Sequence, residues 1–278
     1  MPTFDTFREF EHARWSDGNL CADYDRHFGA LTVQSVTELL DAAHVGPGAR
    51  VLDVCCGAGY AAGLAAGRGA EAAGVDFSEA QIALARVRYP GVVFSQGDAC
   101  ALEFADAAFD CVVNGIGMPH FENPDAAIAE AYRVLRPGGR FAFSVYAEPD
   151  QTNGFGLIYG AIQAHGTMDV GLPQGPNFFL FSRRDESEKR LVGAGFRDVT
   201  MRTVAQTWYL RSAEQAFAAV LDGSVRAAAI LRGQDEATLG RIKQAMQAGL
   251  QRCKTENGYA LPMPAVIVSA RKPIMDAA

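Results

Sequence analysis

Three aspartates and a run of glycines mark where chemistry could occur in this 278-residue chain. The stretch Val51-Leu52-Asp53-Val54-Cys55-Cys56-Gly57-Ala58-Gly59-Tyr60 reads as an apolar strand ending in an acid, a tight glycine turn, and a small-residue helix over about 58–66. Glycines let the backbone approach a ligand where a Cβ would collide. The helix start offers N–H groups that have no partner within the helix. The pattern therefore predicts a cofactor pocket at the end of a strand. Asp76 ends the next apolar run, 72–75, where an acid can accept from a ribose diol. Gly57-Ala58-Gly59 with Gly63 spells G-x-G-x-x-x-G, close to a dinucleotide fingerprint. Asp53, on the turn itself, speaks against a dinucleotide, because a carboxylate there suits a cationic group and repels a pyrophosphate. Each acid also has a plainer reading on its own. Asp53 could cap a helix. Asp76 could cap the helix that Asp76-Phe77-Ser78-Glu79 opens, and Asp98 could be a turn residue.

The order strand, acid, Gly-Ala-Gly resembles motif I of the class I S-adenosylmethionine (SAM) dependent methyltransferases. Two more stretches carry the resemblance. Gln96-Gly97-Asp98-Ala99 follows a third strand at 92–95, and Arg133-Val134-Leu135-Arg136-Pro137-Gly138-Gly139-Arg140 forms a helix–Pro-Gly-Gly–strand turn typical of that family. The likeness is strong over 31–146 and moderate over 185–204 and 259–272, and it points to the ubiquinone/menaquinone-methylase-like (type 11) branch. In one place the chain departs: Cys55 stands where the family often has glycine.

The resemblance implies SAM as cofactor and S-adenosylhomocysteine as product. Carried over residue by residue, Asp53, Gly57 and Gly59 hold the methionine end, with Cys55 counted among the cofactor-binding positions. Asp76 accepts from both ribose hydroxyls and Phe77 lies beside the adenine. Asp98 faces the adenine amino group, and Ala99 donates a backbone N–H. Asn114 lies near the methionine backbone or the methyl, and Tyr24 is the natural lid. His120, in Asn114-Gly115-Ile116-Gly117-Met118-Pro119-His120-Phe121, is the candidate catalytic base or substrate contact. It also reads as a loop histidine packed against a helix at 124–135. The implied reaction moves a methyl group to a small-molecule acceptor. Phe155, Tyr159, His165, Phe178, Phe179 and Phe181 make that acceptor a largely apolar or aromatic metabolite. A SAM-binding catalyst or binding protein that moves no methyl is the alternative on the same fold, and a nicotinamide-dependent oxidoreductase is the more distant one. No Asn-Pro-Pro-Tyr signature and no magnesium-type acid cluster is evident, so no metal is expected.

The elements that must position these residues alternate. A helix at 31–43 precedes strands at 50–54, 71–75, 92–95, 109–113 and 139–145, with helices at 58–67, 78–88 and 124–135 between them. A helix at 185–194, a sixth strand at 196–204 and a last strand at 265–270 follow. Such alternation predicts an α/β fold, a parallel sheet with helices on both faces and strand ends on one edge. The resemblance makes the sheet Rossmann-like, seven-stranded and mostly parallel, with the last strand antiparallel. The expected organisation is an irregular N-terminal lid or arm (1–30), a SAM-binding core (31–147), a cap insertion (148–184), a core continuation (185–207), a helical cap insertion (208–258) and the last strand with its tail (259–278).

Composition bounds the function. The chain is 49% hydrophobic and 21% charged with a net charge of −7, which fits a globular protein and disfavours nucleic acid or anionic membrane as partner. Its basic run at 183–190 is interrupted by Asp185, Glu186 and Glu188. Six scattered cysteines without a C-x-x-C pair read as reduced thiols in a cytoplasmic protein. The N-terminus shows no apolar leader region and no run reaches membrane-spanning length. A monomer or homodimer is expected.

Overall fold

The structure, a computed structural model, describes residues 4–149 and 153–274. Residues 1–3 of the N-terminal arm, 150–152 of the first insertion and 275–278 of the tail lie outside the described residues. In chain order the helices are α1 (Phe7–Trp15), α2 (Gly18–Thr32), α3 (Val36–Ala42), α4 (Tyr60–Gly67), α5 (Glu79–Arg88), α6 (Pro124–Val134), α7 (Asn153–His165), α8 (Arg184–Gly193), α9 (Ala213–Gly223), α10 (Arg226–Arg232) and α11 (Glu236–Leu250). The strands are β1 (Arg50–Val54), β2 (Glu71–Asp76), β3 (Val93–Gln96), β4 (Phe109–Gly115), β5 (Leu135–Tyr146), β6 (Arg197–Val204), β7 (Thr207–Leu210), β8 (Lys254–Thr255), β9 (Gly258–Pro262) and β10 (Ala265–Arg271). They fall into two compact units, one of residues 32–146, 176–204 and 265–278, the other of the remaining three segments.

The first unit is built on a seven-stranded sheet of order β3-β2-β1-β4-β5-β10-β6. Strands β1 to β5 pair in parallel, and β10 runs antiparallel between β5 and β6. The α/β class, the seven strands and the single reversed strand agree with the sequence reading. Because β1 has β2 on one side and β4 on the other, the strand order reverses at the C-terminal end of β1. That crevice is where ligands bind in such sheets. The sheet is apolar on both faces because helices cover both. Val51, Val113, Ala142 and Ile267 meet Leu39 and Leu40 of α3 and Ala61 and Ala65 of α4 on one face. Phe141 and Phe143 turn the other way, towards Phe196 and Phe181.

Strand β5 starts at Leu135, four residues earlier than the sequence suggests. The Pro-Gly-Gly segment is absorbed into strand pairing. Gly138 N–H donates to the Lys272 carbonyl and Lys272 N–H to that of Gly139, each at 2.9 Å.

In the second unit the N-terminal segment is helical, not irregular. Thr6 Oγ1 accepts from the Glu9 N–H at 3.1 Å, and Glu9 Oε2 accepts from the Thr6 N–H at 3.3 Å. This reciprocal capping box starts α1. Phe7, Phe10 and Trp15 then bury one face. The helix expected at 31–43 is shorter: α2 runs to Thr32, a 3-10 turn spans Val33–Ser35, and α3 follows. The 208–258 segment holds helices α9, α10 and α11 as expected, and also contributes to an antiparallel sheet of order β7-β9-β8. Trp208 and Leu210 point inward there while Tyr209 is exposed, the period of two that a strand imposes. No helix among the described residues is long and apolar enough to cross a membrane.

Candidate active site

At the end of β1 the chain makes a sharp reversal. Cys55 adopts φ +60° and Gly59 φ +83°. A Cβ on Gly59 would sit 2.8 Å from the Phe94 ring, so this position needs glycine for space as well as for its backbone angle. Arg88 braces the turn from outside, donating to the Ala58 carbonyl at 3.2 Å and lying 4.5 Å from the Tyr60 ring centroid. Helix α4 begins at Tyr60, two residues later than the sequence suggests.

Asp53 is 1% exposed. Its Oδ2 accepts from the Ala62 N–H at 2.9 Å, so the plain helix-capping reading is satisfied by one oxygen. Oδ1 is buried and has no hydrogen-bond partner. Burial pushes the carboxyl up to about 7; the Ala62 N–H opposes the rise and the neighbouring Asp76 charge adds to it. An orphaned anionic oxygen is costly unless a donor arrives to meet it. A ligand ammonium group is such a donor.

Asp76, at the end of β2, is 5% exposed. Its Oδ2 accepts from Gly57 N–H and its Oδ1 from Ser78 N–H, both at 2.9 Å. Asp76 therefore ties the glycine turn to its own strand end. The cap of α5 is Ser78, whose Oγ accepts from the Gln81 N–H at 3.2 Å. Burial raises the Asp76 carboxyl above its ordinary value, against the pull of the two backbone N–H groups, the His120 charge and a bond from the Cys55 thiol. Cys55 is thus turned towards the strand-end acids. Its neighbour Cys56 packs into the core with Ile82, Ala85 and Phe94, and burial drives its thiol well up. The left-handed backbone at Cys55 is one that glycine would adopt without strain.

Phe77 is half-buried beside Asp76, and its carbonyl accepts from Gln96 at 2.9 Å. Asp98 follows β3, where its Oδ1 accepts from the Cys100 N–H at 2.8 Å in a side-chain-stabilised turn. Ala99 is buried next to it. The ends of β1, β2 and β3 thus carry Asp53, Asp76 and Asp98 along one sheet edge, as the motif spacing predicts.

Asn114 and His120 come from the end of β4. Asn114 is 1% exposed, and its amide is spent on backbone. Nδ2 donates to the Val54 carbonyl at 2.8 Å, and Oδ1 accepts from the N–H groups of Gly117 and Met118 at 2.9 and 3.0 Å. Gly117 lies so close that a Cβ there would fall 2.7 Å from the Cys55 Cβ. A 3-10 turn over Met118–His120 then presents His120, whose ring meets Phe178 edge-on at 6.2 Å and which acts electrostatically on Asp76. Of the aromatics expected at the site, Phe181 is instead core, 2% exposed against Phe143. Phe155 and Tyr159 stack in the second unit, 6.1 Å apart. Tyr24 also belongs to that unit, its ring packed against Trp15 at 5.2 Å and Phe28 at 5.5 Å.

The sequence reading missed Gln81. It sits one turn into α5 with a buried side-chain oxygen, facing Gly57. The available signal was a polar residue on an otherwise apolar helix face, with Ile82 and Ala85.

Comparison with known proteins shows the family to which this arrangement belongs. A family model for the methyltransferase domain matches residues 52–143, spanning β1 to β5. A demethylmenaquinone methyltransferase of Renibacterium salmoninarum is 37% identical over 111 residues, 40% of this chain and 47% of that one. A second, from Paenarthrobacter aurescens, is 33% identical over 176 residues, 60% of this chain and 70% of that one. The chain spans about half the length of the first curated relatives it matches. Among solved structures, a Haemonchus contortus phosphoethanolamine N-methyltransferase 2 in complex with S-adenosyl-L-methionine overlays with a TM-score of 0.58 at 20% identity, covering 97% of this chain and 60% of that one. That likeness is one of fold. With the acid-ended strands, the glycine turn and the matching relatives together, the chain belongs to the S-adenosylmethionine-dependent methyltransferase family, in its ubiquinone/menaquinone-methylase-like branch.

Proposed function

We propose that the protein transfers a methyl group from SAM to a small, largely apolar or aromatic acceptor, at the strand-end pocket of the seven-stranded sheet. The observation that carries this reading is the orphaned Asp53 oxygen beneath the same glycine turn that Asp76 anchors. Asp53 Oδ1 meets the ammonium of the methionine moiety, Asp76 takes the ribose hydroxyls, and Asp98 with the Ala99 N–H meets the adenine. Asn114 serves this site through the backbone it holds. The donor supplies an already activated methyl. In the displacement the carbon–sulfur bond breaks with its electron pair returning to sulfur, S-adenosylhomocysteine leaves, and the acceptor gives up a proton. His120 is the group placed to contact the acceptor or take that proton, with Phe178 beside it as an aromatic wall. The named substrates of the quinone-methylating relatives support an aromatic acceptor. The enzyme works in the cytoplasm as a monomer or homodimer without nucleic acid.

A thermal-shift comparison of SAM, S-adenosylhomocysteine, NADH and NADPH tests the pocket. A ligand at a hundred times its dissociation constant adds about 2.7 kcal/mol of stability. A shift with the two adenosyl ligands alone is expected, and a shift with the nicotinamides alone would overturn the reading. Transfer of labelled methyl to hydroxylated aromatic acceptors then tests the reaction. His120→Ala is expected to lower turnover by about a hundredfold or more, the lower end of the range for losing a general base, with donor affinity nearly unchanged. If turnover survives, His120 is a packing residue.

A further inference from the structure

Four buried side-chain polar atoms have no hydrogen-bond partner among the described residues, and two of them flank the same turn: Asp53 Oδ1 and Gln81 Oε1. Gln81 is 4% exposed, on the inward face of α5. Its backbone N–H is already held by Ser78 Oγ, so the side-chain amide is not needed to cap the helix. The amide oxygen lies 3.8 Å from where a Cβ on Gly57 would be, next to the residue whose N–H Asp76 accepts. A buried amide oxygen left without a partner is a burden on the fold that an apolar residue of the same length would avoid. The neighbouring positions Ile82 and Ala85 are apolar, so the helix face does not demand polarity here.

Chemistry narrows what would meet this amide. An ionised Asp76 only accepts, so it takes the protons of a vicinal diol and leaves the hydroxyl lone pairs unserved. A carboxamide offers both an acceptor and two donors, and a half-turn about its last bond exchanges them. A carboxylate and a carboxamide on either side of one turn therefore make a complementary pair for a ribose. We propose that Gln81 is a further donor-binding residue that hydrogen-bonds a ribose hydroxyl of the adenosyl ligand opposite Asp76. The assignment rests on the donor pocket described above.

The test uses the full chain and three ligands: S-adenosylhomocysteine and its 2′-deoxy and 3′-deoxy analogues. Calorimetric affinities are compared for wild type, Gln81→Leu, and Gln81→Met, which keeps the side-chain length. The amide variants are expected to bind S-adenosylhomocysteine about tenfold more weakly, as for one hydrogen bond lost. One of the deoxy analogues should lose less than about twofold, because the partner hydroxyl is already gone. The melting temperature without ligand should hold or rise. An unchanged affinity for S-adenosylhomocysteine would overturn the assignment. So would an equal loss for all three ligands, which a merely structural glutamine would give. The donor pocket is checked separately: if wild type fails to bind S-adenosylhomocysteine, or Asp76→Ala binds it as tightly, that reading fails and takes Gln81 with it. If both hold and the Gln81 variants behave like wild type, only the Gln81 assignment falls.

Discussion

Strands β1 and β4 are neighbours in the sheet, and each is followed at once by a left-handed non-glycine residue, Cys55 at φ +60° and Ile116 at φ +63°. Such a conformation costs an ordinary residue about 1–2 kcal/mol, so both turns hold strain. They differ in what their polar groups do. Behind β4, both ends of the Asn114 amide reach backbone, and the Ile116 N–H donates to the Ser144 carbonyl at 3.0 Å. Behind β1, Asp53 keeps one oxygen without a partner and Gln81 across the turn does the same. One turn is closed on itself and the other is left incomplete. The incomplete turn is the one whose polar atoms can still accept a hydrogen bond, and the closed one is fixed by its own backbone bonds.

A pair of variants breaks or keeps this contrast, and its effect should be the largest. Asp76→Ala removes the carboxylate that the proposed function assigns to the ribose hydroxyls, with charge-assisted bonds each worth about 1.5–3 kcal/mol, so S-adenosylhomocysteine should bind on the order of a hundredfold more weakly or worse. Asn114→Ala should act chiefly on stability. It strands the Val54 carbonyl and two N–H groups, and each buried orphan costs about 1–3 kcal/mol. Denaturant unfolding and calorimetry on both variants read the two effects side by side. Should Asn114→Ala abolish binding and leave unfolding untouched, Asn114 would be a ligand contact and the closed-turn description would be wrong.

The same contrast shows what the chain's letters could and could not disclose. Strands β1 to β4, β6 and β10 were legible because apolar runs are cut by Gly, Pro and Asp at strand length. Asp53, Asp76 and Asp98 were legible because strand ends in a parallel sheet share one edge, so spacing alone brings them together. Helix α1 was legible in principle through Thr6 and Glu9, but its aromatic density obscured the helical period. The β7–β9 sheet was hidden because its strands are short and far apart in sequence, and their pairing is a tertiary fact. Gln81 was only faintly legible, since a polar letter on an apolar helix face does not by itself say that the side chain is buried beside the turn. Nor could spacing tell that Asn114 points its amide at backbone.

The pH dependence of binding sharpens the incomplete turn further. Folding raises the Asp53 carboxyl from its ordinary value to about 7, with burial as the main cause. Between those values the folded chain holds a proton that the unfolded chain releases. Asp53 therefore contributes stability at low pH that is lost as pH rises through about 7. Binding runs in the opposite direction, because an ammonium group prefers the ionised carboxylate. Affinity for S-adenosylhomocysteine should weaken by about tenfold between pH 7.5 and 6, approaching one proton's slope. Asp53→Asn should flatten that profile. A profile that Asp53→Asn leaves unaltered would mean that another group, Asp76 first among them, carries the titration.

The smallest effect concerns the strain itself. Cys55→Gly removes the left-handed penalty but also gives the unfolded chain about 0.5–1 kcal/mol of extra freedom, and it loses the thiol bond to Asp76. These terms nearly cancel, so the unfolding free energy should move by less than about 1 kcal/mol. Ile116→Gly relieves a similar backbone strain, but Ile116 is buried and its removal forfeits about 1.5–3 kcal/mol of apolar burial. It should be clearly destabilising. The two substitutions are alike on paper, and a difference in their unfolding midpoints measures how far the β4 turn depends on packing and the β1 turn does not. If Cys55→Gly proves as costly as Ile116→Gly, the Cys55 side chain is itself a structural member of the pocket wall, and the β1 turn is more complete than its orphaned oxygens suggest.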